Sequence, residues 1–301
     1  MSKKDNFKSG FVSIIGRTNV GKSSLLNKMA GRKVSIISEK PQTTRNKILH
    51  VINREGAQVI FLDTPGIHKP KHKLGEQLVQ VALQTLKEVD AILFFVEADQ
   101  PPGPGDKFII NKFQHLKTPV LLAINKIDLI RHEELLPLIE QYSKLYSFAE
   151  IIPVSALTGE NLPGLLETLE RYLPTGPQYY PDDMVTDRPE SFIMAELIRE
   201  KVLLLTGQEI PHSVAVVIEE LEKRPNDVVA VRAIIYTERE SQKGILIGKG
   251  GHVLKKVGQM AREDMESLLG SKIFLELWVK VKPGWRNKED QIWNFGYRNE
   301  R

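Results

Sequence analysis

The chain has 301 residues, a length that suits two ordinary domains better than one. Its 41% hydrophobic and 27% charged residues are typical of a globular protein with full-sized cores, and its net charge of +4 means that an acidic partner would have to meet a local basic patch. The absence of cysteine excludes disulfides, thiolate metal sites and cysteine nucleophiles, and no apolar run approaches the roughly 18 residues of a membrane span, so we expect a cytoplasmic protein without a transmembrane segment.

Short apolar runs alternate with helix-period segments from residue 11 to about 173, which is typical of a mostly parallel sheet with helices on both faces. The predicted strands are 11–15, 48–53, 59–62, 91–96, 120–124 and 151–154. The predicted helices are 22–30, 76–88, 106–116, 133–145 and 162–173. Because the second strand precedes a tight Glu55-Gly56 turn, we expect it to pair antiparallel with the third.

A domain boundary is predicted in residues 174–183, where three prolines and a glycine cannot continue a helix. Beyond it the order changes to a helix, two strands, a glycine-rich loop, a helix and a strand, at 189–205, 213–221, 228–236, 248–251, 252–269 and 273–281. We therefore predict a first, α/β domain over 8–175, a linker over 176–190, and a second, α+β domain over 191–301 with its core at about 206–283.

Residues 16–23 form a complete GxxxxGK[ST] loop between the first predicted strand and helix. Backbone N–H groups of such a loop cradle a phosphate, the lysine reaches the β- and γ-oxygens, and the serine hydroxyl ligates Mg²⁺. We assign these roles to Lys22, the expected catalytic cation, and to Ser23. The full set of predicted phosphate-loop residues is Gly16, Arg17, Thr18, Asn19, Val20, Gly21, Lys22 and Ser23.

Two further segments complete the expected phosphate and metal site. Asp63, Thr64, Pro65 and Gly66 directly follow the third strand, where the aspartate can reach the metal through water and the glycine N–H can meet a γ-phosphate. The long loop before the second strand is the expected first switch, because a threonine there can close over Mg²⁺; its residues are Gln42, Thr43, Thr44, Arg45 and Asn46. By position alone, both threonines are candidates.

The base is expected to bind at Asn125, Lys126, Ile127 and Asp128, which end the fifth strand. The Asp128 carboxylate only accepts hydrogen bonds, so it fits the N1–H and N2 donors of guanine, whereas adenine would present a lone pair. Lys126 would pack its stem over the nucleotide, and Asn125 would tie the loops together. After the sixth strand, Val154, Ser155 and Ala156 are expected to offer a backbone N–H to guanine O6.

With all five guanine-nucleotide motifs in order, the first domain resembles the translation-factor-type P-loop GTPases of the TrmE-Era branch. The resemblance implies that Thr44, rather than Thr43, meets Mg²⁺, and it suggests a K⁺ site beside the phosphates at Asn19. Thr18 stands where the family usually has proline, which predicts a modest effect on loop rigidity. Ile67 follows Gly66 where many small GTPases place a glutamine, so slow hydrolysis is expected and the water-positioning residue is unassigned.

In the second domain, Gly248, Lys249, Gly250 and Gly251 open the predicted helix 252–269. Their small size lets a sugar-phosphate backbone lie against the loop and the helix N-terminus, with Lys255 and Lys256 available to phosphates. The order of elements resembles a type II KH domain, which implies a groove for about four nucleotides of single-stranded RNA. Most of the aromatic residues near the chain end are expected to pack; these are Trp278, Trp285, Trp293, Phe295 and Tyr297.

Taken together, the two domains resemble the bacterial Era family over essentially the whole chain. The resemblance implies a monomeric GTPase that uses GTP/GDP and Mg²⁺, binds the 3′ end of 16S rRNA, assists maturation of the 30S subunit, and can associate peripherally with the inner face of the cell membrane. Two other functions stay open from the residues alone: a P-loop kinase or ATPase acting on a small molecule, and a constitutive RNA-binding scaffold with structural nucleotide.

Overall fold

The computed structural model describes residues 6–38, 40, 43–67, 70, 72–207, 210, 213–224 and 227–297. The chain divides into two compact units. The first contains most of the chain up to Asp187, and the second begins at Arg188 and also includes the segments 35–43 and 71–76. Within the described part of the chain, no helix is both long and apolar enough to cross a membrane.

A six-stranded sheet forms the centre of the first unit, in the order β2-β3-β1-β4-β5-β6. Its strands are β1 Lys8–Gly16, β2 Ile48–Arg54, β3 Ala57–Asp63, β4 Ala91–Glu97, β5 Val120–Asn125 and β6 Glu150–Pro153. All neighbours are parallel except β2 and β3, which are antiparallel as expected. Apolar clusters cover both faces, since consecutive β4 residues such as Leu93 and Phe94 point to opposite faces and belong to different clusters.

The helices of this unit are α1 Lys22–Ala30, α2 Lys73–Gln84, α3 Pro104–Ile110, α4 His132–Ser143 and α5 Leu162–Tyr172. Two of them differ from the prediction. Helix α2 begins at Lys73 rather than residue 76, and a short 3₁₀ turn takes the place of its last predicted residues. Helix α3 ends at Ile110 rather than 116, because i→i−3 bonds such as Phe113 N–H to Ile110 O tighten the chain there and bury Phe113 against Phe94.

The second unit contains a three-stranded sheet in the order β7-β8-β9. Its elements are α6 Glu190–Leu205, β7 Ala215–Lys223, β8 Val228–Thr237, α7 Glu240–Ile247, α8 His252–Leu269, β9 Lys272–Val281 and α9 Glu289–Asn294. Strands β7 and β8 are antiparallel, whereas β8 and β9 are parallel. Ile198 of α6 and Val257 of α8 pack with Ala233 of β8 in one buried core.

Helix α7 is a correction to the sequence analysis, which predicted no helix between the strand 228–236 and the glycine-rich loop 248–251. Residues Ile245, Leu246 and Ile247 form the last turn of this helix, and only Leu246 is buried. The helix begins where Gln242 Oε1 accepts the N–H groups of Glu238 and Arg239, at 3.0 and 3.1 Å. This side-chain cap satisfies N–H groups at the helix start, so a short helix forms from a segment with a weak apolar pattern.

Candidate functional site

The phosphate loop links the end of β1 to the start of α1, and its backbone includes two left-handed residues. Asn19 has φ 69° and Gly21 has φ 97°. A Cβ at Gly21 would lie 2.5 Å from Asn125 Nδ2, so a side chain there would displace the Asn125 amide. Glycine at this position is therefore required by both the backbone angle and the space.

Lys22 is buried along the inner side of this loop. Its Nζ donates to the carbonyl oxygens of Gly16 at 3.3 Å and Arg17 at 2.8 Å. Burial lowers the pKa of Lys22 to about 8, and the charge of Asp63 opposes that shift. The ammonium group therefore lies inside the loop, where an anionic phosphate would stabilise its charged form.

Three oxygen-bearing side chains meet beside the start of α1. Ser23 Oγ donates to Asp63 Oδ2 at 3.0 Å and lies 3.1 Å from Thr44 Oγ1. Hydroxyl and carboxylate oxygens are the ligands that Mg²⁺ prefers, so this donor set fits the metal. The Thr43 hydroxyl instead donates within its own loop, to Lys40 O at 2.5 Å.

The other described residues of the predicted first switch do not belong to the oxygen cluster of Ser23, Thr44 and Asp63. Arg45 and Asn46 are buried, and Gln42 lies outside the described residues. The carbonyl oxygen of Thr43 accepts a hydrogen bond from the Arg199 guanidinium of α6, which belongs to the same unit. The adjacent residue Thr44 belongs to the first unit, so the division between units falls between the two threonines.

The segment after β3 packs against the phosphate loop. The Thr64 hydroxyl donates to Ile14 O at 2.8 Å, and Ile67 N–H donates to Gly16 O at 3.1 Å. A Cβ at Gly66 would lie 2.8 Å from the Thr18 Cα, so the two backbones are in close approach. The Ile67 side chain is buried in an apolar cluster and cannot orient a water molecule.

Asn125 joins the loops at the base end of the site, as expected. Its Nδ2 donates to Val20 O at 2.8 Å, and its Oδ1 accepts from Ala156 N–H at 2.9 Å. Ser155 Oγ donates to Asp128 Oδ1 at 2.5 Å, which places the serine beside the carboxylate that is expected to read the base. Nearby, Ile127 N–H donates to Val154 O at 3.4 Å.

The backbone N–H expected to meet guanine O6 has other partners in this structure. Ala156 N–H donates to Asn125, and Ser155 N–H donates to Glu160 O at 3.1 Å. The O6 contact therefore stays a prediction, which requires one of these hydrogen bonds to be shared or exchanged. Lys126 Nζ donates to Glu97 Oε2 at 2.6 Å, and Glu97 is a residue that the sequence analysis did not select.

In the second unit, the three glycines of the loop 248–251 all have positive φ, at 73°, 63° and 79°. A Cβ at Gly248 would meet the Val253 side chain at 2.6 Å, whereas nothing lies within 4 Å of the positions at Gly250 and Gly251. The loop therefore presents an open backbone surface next to the start of α8, as contact with a sugar-phosphate backbone requires.

A groove of about 550 Å³ adjoins this loop. It is lined by Gly251, Leu254, Lys255, Gly258, Gln259, Arg262, Leu275 and Leu277. Lys255 is thus at the groove, whereas Lys256, the next residue along α8, is not among its lining residues. Gln259 was not singled out in the sequence; its spacing of four residues from Lys255, on the same helix face, is the signal that could have found it.

The aromatic residues near the chain end pack, as expected for most of them. Trp285 is fully buried, donates its Nε1–H to Ser213 O at 2.9 Å and lies edge-on to Phe295. Tyr297 is buried beside it. Trp278 and Trp293 are about half exposed.

These two sites define the class of the protein: a P-loop GTPase domain followed by a KH domain. Family models agree, since residues 11–126 match a family described as 50S ribosome-binding GTPase and residues 209–286 match the KH domain. The chain is also similar to a solved structure of Era in complex with MgGDPNP and nucleotides 1506–1542 of 16S ribosomal RNA. The sequences are 44% identical, with a TM-score of 0.94 and coverage of 97% of this chain and 100% of that one.

A second similar structure is that of a tyrosine-to-alanine variant of Aquifex aeolicus Era bound to GDP·AlF₄⁻. It shows the same 44% identity, TM-score of 0.94 and coverage of 97% and 100%. The chain therefore belongs to the Era family of GTPases. A small-molecule kinase or ATPase is not favoured by this match.

Proposed function

We propose that this protein binds GTP with Mg²⁺, hydrolyses it slowly to GDP and phosphate, and binds single-stranded RNA at the 3′ end of 16S rRNA during 30S subunit maturation. The observation that carries the proposal is the similarity, over 97% of this chain, to an Era structure that holds MgGDPNP and that RNA. The phosphate loop lies within the residues 11–126 that match the GTPase family model, and the glycine loop lies within the residues 209–286 that match the KH domain.

The residues of the first unit divide the work of binding and hydrolysis. Lys22 places its charge inside the phosphate loop. Ser23 and Thr44 would hold Mg²⁺ directly and Asp63 would do so through water; the ion would supply positive charge that stabilises the phosphate oxygens. Gly66 would offer its N–H to the γ-phosphate. Ile67 is buried and apolar, so its side chain does not orient the attacking water. This supports a slow intrinsic rate of GTP hydrolysis.

The coupling of nucleotide to RNA is proposed to start at Thr43 and Thr44. Thr44 lies beside Ser23, where it would sense the metal and the γ-phosphate. Thr43 is hydrogen-bonded to Arg199 on α6. If GTP hydrolysis moves Thr44, the backbone would pass that movement to Thr43, which is hydrogen-bonded to α6.

RNA binding should be measured by fluorescence anisotropy with a labelled oligonucleotide of the 16S rRNA 3′ end. We expect tighter binding with Mg²⁺·GDPNP than with GDP. Lys255→Glu should weaken binding in both states, because it replaces a groove cation by an anion. The matched control is Lys280→Glu, on the opposite face of β9 from the groove residues Leu275 and Leu277.

Two results would contradict the proposal. Equal RNA affinity with Mg²⁺·GDPNP and with GDP would show that the nucleotide does not switch RNA binding. It would favour the constitutive RNA-binding scaffold. An equal loss in Lys255→Glu and Lys280→Glu would show that charge, rather than the groove, governs binding.

We also propose a K⁺ site at Asn19, peripheral membrane association, a monomeric state and a cytoplasmic location. These four proposals rest on family membership and, for K⁺, also on the identity of Asn19. Hydrolysis rates in K⁺ and Na⁺ buffers test the K⁺ site, and equal rates would reject it. Flotation with vesicles of anionic lipid tests peripheral membrane association, and light scattering tests the monomeric state. Cell fractionation tests the cytoplasmic location.

A further inference from the structure

Glu97 is a buried carboxylate that two of the nucleotide motifs share. It is the last residue of β4 and is 9% exposed. Its Oε2 accepts a hydrogen bond from Lys126 Nζ at 2.6 Å, and its Oε1 accepts one from Arg17 Nη2 at 3.1 Å. Lys126 belongs to the base-recognition segment and Arg17 to the phosphate loop. One residue outside every motif therefore joins the two ends of the nucleotide site.

The other side of Arg17 is fixed by a second carboxylate. Arg17 Nε donates to Asp106 Oδ1 at 2.9 Å, and Asp106 is fully buried. Asp106 Oδ2 accepts the Gly103 N–H at 2.9 Å, at the start of α3. The Arg17 stem also lies against Gly105, where a Cβ would be 2.9 Å from Arg17 Cδ. Arg17 is thus anchored independently of Glu97.

Among the residues that the structure describes, Lys126 has no second side-chain anchor comparable to the one that Asp106 gives Arg17, and its side chain is 31% exposed. A lysine side chain has four rotatable bonds and loses considerable conformational freedom when it is held in one arrangement. A charge-assisted hydrogen bond to a buried carboxylate orders that side chain before the nucleotide binds. Ordering a binding side chain in advance improves affinity because less entropy is lost on association.

We propose that Glu97 is a positioning residue for guanine-nucleotide binding and that it acts through Lys126; this inference rests on the nucleotide-binding function proposed above. It holds the lysine extended along the nucleotide site at a fixed distance from the phosphate loop. Replacing the carboxylate by an amide leaves Arg17 anchored by Asp106 and weakens the restraint on Lys126. The loss falls on retention of the nucleotide rather than on bond cleavage, because Glu97 is separate from the residues assigned to the γ-phosphate and the metal.

The test is the dissociation rate of a fluorescent GDP from Glu97→Gln, measured by stopped flow with excess GDP. We expect release to be faster by about tenfold, as for the loss of one charge-assisted hydrogen bond. KM for GTP should rise while kcat stays within about twofold. The matched control is Glu170→Gln, which breaks a partly exposed ion pair with Arg54 at 3.2 Å in the same unit and should leave release unchanged.

A double-mutant cycle with Lys126→Met separates positioning from a general structural effect. Methionine keeps an apolar stem of similar length but cannot bond to Glu97, so Glu97→Gln should add little in this background. Glu97→Asp keeps the charge on a side chain one methylene shorter and should give an intermediate rate. Unchanged release in Glu97→Gln, or a full effect of Glu97→Gln that persists with Lys126→Met, would overturn the proposal.

Discussion

The Ser23 hydroxyl donates to Asp63 Oδ2 at 3.0 Å, which joins the phosphate loop to the carboxyl end of β3. The two residues are 40 positions apart in sequence. They meet because β1 and β3 are parallel neighbours and their following loops leave the same edge of the sheet. The pair therefore presents oxygen ligands where Mg²⁺ is proposed to bind.

Ser23→Ala should reduce GTP affinity mainly when Mg²⁺ is present. The substitution removes one metal ligand but leaves the backbone of the phosphate cradle, so we expect about a tenfold loss with Mg²⁺ and a small change in EDTA. Titration of GDPNP with and without Mg²⁺ measures both. Ser24→Ala, the next residue of α1, is the control. An equal loss in the presence and absence of Mg²⁺ would contradict the assignment of Ser23 to the metal.

Lys22 makes nucleotide binding dependent on pH. Burial lowers its pKa to about 8 in the free protein, and bound phosphates should hold it protonated. Binding near pH 8.5 should then take up protons, and affinity should fall as pH rises above about 8. The stability of the protein without nucleotide depends on pH in the opposite direction. Between about pH 8 and 10.5, Lys22 is less protonated in the folded protein than in the unfolded chain. Its contribution to the free energy of unfolding therefore rises as pH rises through this range.

Calorimetry in two buffers of different ionisation enthalpy measures this proton uptake. Lys22→Arg is the matched variant, because arginine stays charged over this range and should bind without uptake from that position. A buffer-independent enthalpy at pH 8.5 for the unsubstituted protein would show that Lys22 is already fully protonated.

The motifs and the succession of strands along the chain could be predicted from the sequence because each depends on local residue types. A phosphate loop requires glycine where φ is positive, as at Gly21, and buried parallel strands require apolar runs. The antiparallel β2–β3 pair was predicted from the short turn at Glu55-Gly56.

The rest could not be predicted because it depends on contacts between distant residues. Glu97 is an ordinary charged residue at a strand end until the fold brings it to Arg17 and Lys126. Helix α7 depends on the Gln242 cap rather than on a strong apolar repeat. Likewise, which of two neighbouring lysines on α8 reaches the groove depends on the helix rotation, which a single sequence fixes only to within a residue or two.

Gly248→Ala should disturb the RNA loop more than an alanine at another left-handed glycine. Gly248 has φ 73°, and a Cβ there would meet Val253 at 2.6 Å. Gly270, which ends α8 with φ 65°, has nothing within 4 Å of its Cβ position. Alanine at Gly270 has a backbone cost of about 1 kcal/mol, and the cost is higher at Gly248, whose ψ of 171° is essentially confined to glycine; only Gly248→Ala should also weaken RNA binding severalfold. Anisotropy and thermal unfolding of the two variants measure this, and equal RNA affinities would contradict it.

Of the two tryptophans Trp285 and Trp293, Trp285 should contribute far more to the free energy of unfolding of the second unit. It is fully buried and its Nε1–H bonds to Ser213 O, so Trp285→Ala should cost about 3–5 kcal/mol. Trp293→Ala, at a half-exposed position, should cost less than about 1 kcal/mol. Urea unfolding followed by near-UV circular dichroism measures both. Similar midpoints for the two variants would show that the Trp285 environment contributes little.

Asp128→Asn should change the preferred base rather than abolish nucleotide binding. The asparagine NH₂ group donates hydrogen bonds. It cannot bond to the N1–H and N2 donors of guanine, but it can donate to the C2 carbonyl oxygen of xanthine. Its Oδ1 can still accept from Ser155, so the surrounding loops should keep their arrangement. We expect GDP affinity to fall by at least about a hundredfold and XDP affinity to rise, because an unmatched polar site rejects a ligand strongly. Competition between GDP and XDP for a fluorescent nucleotide measures the ratio, with the exposed Asp99→Asn as control. An unchanged ratio would mean that Asp128 does not read the base.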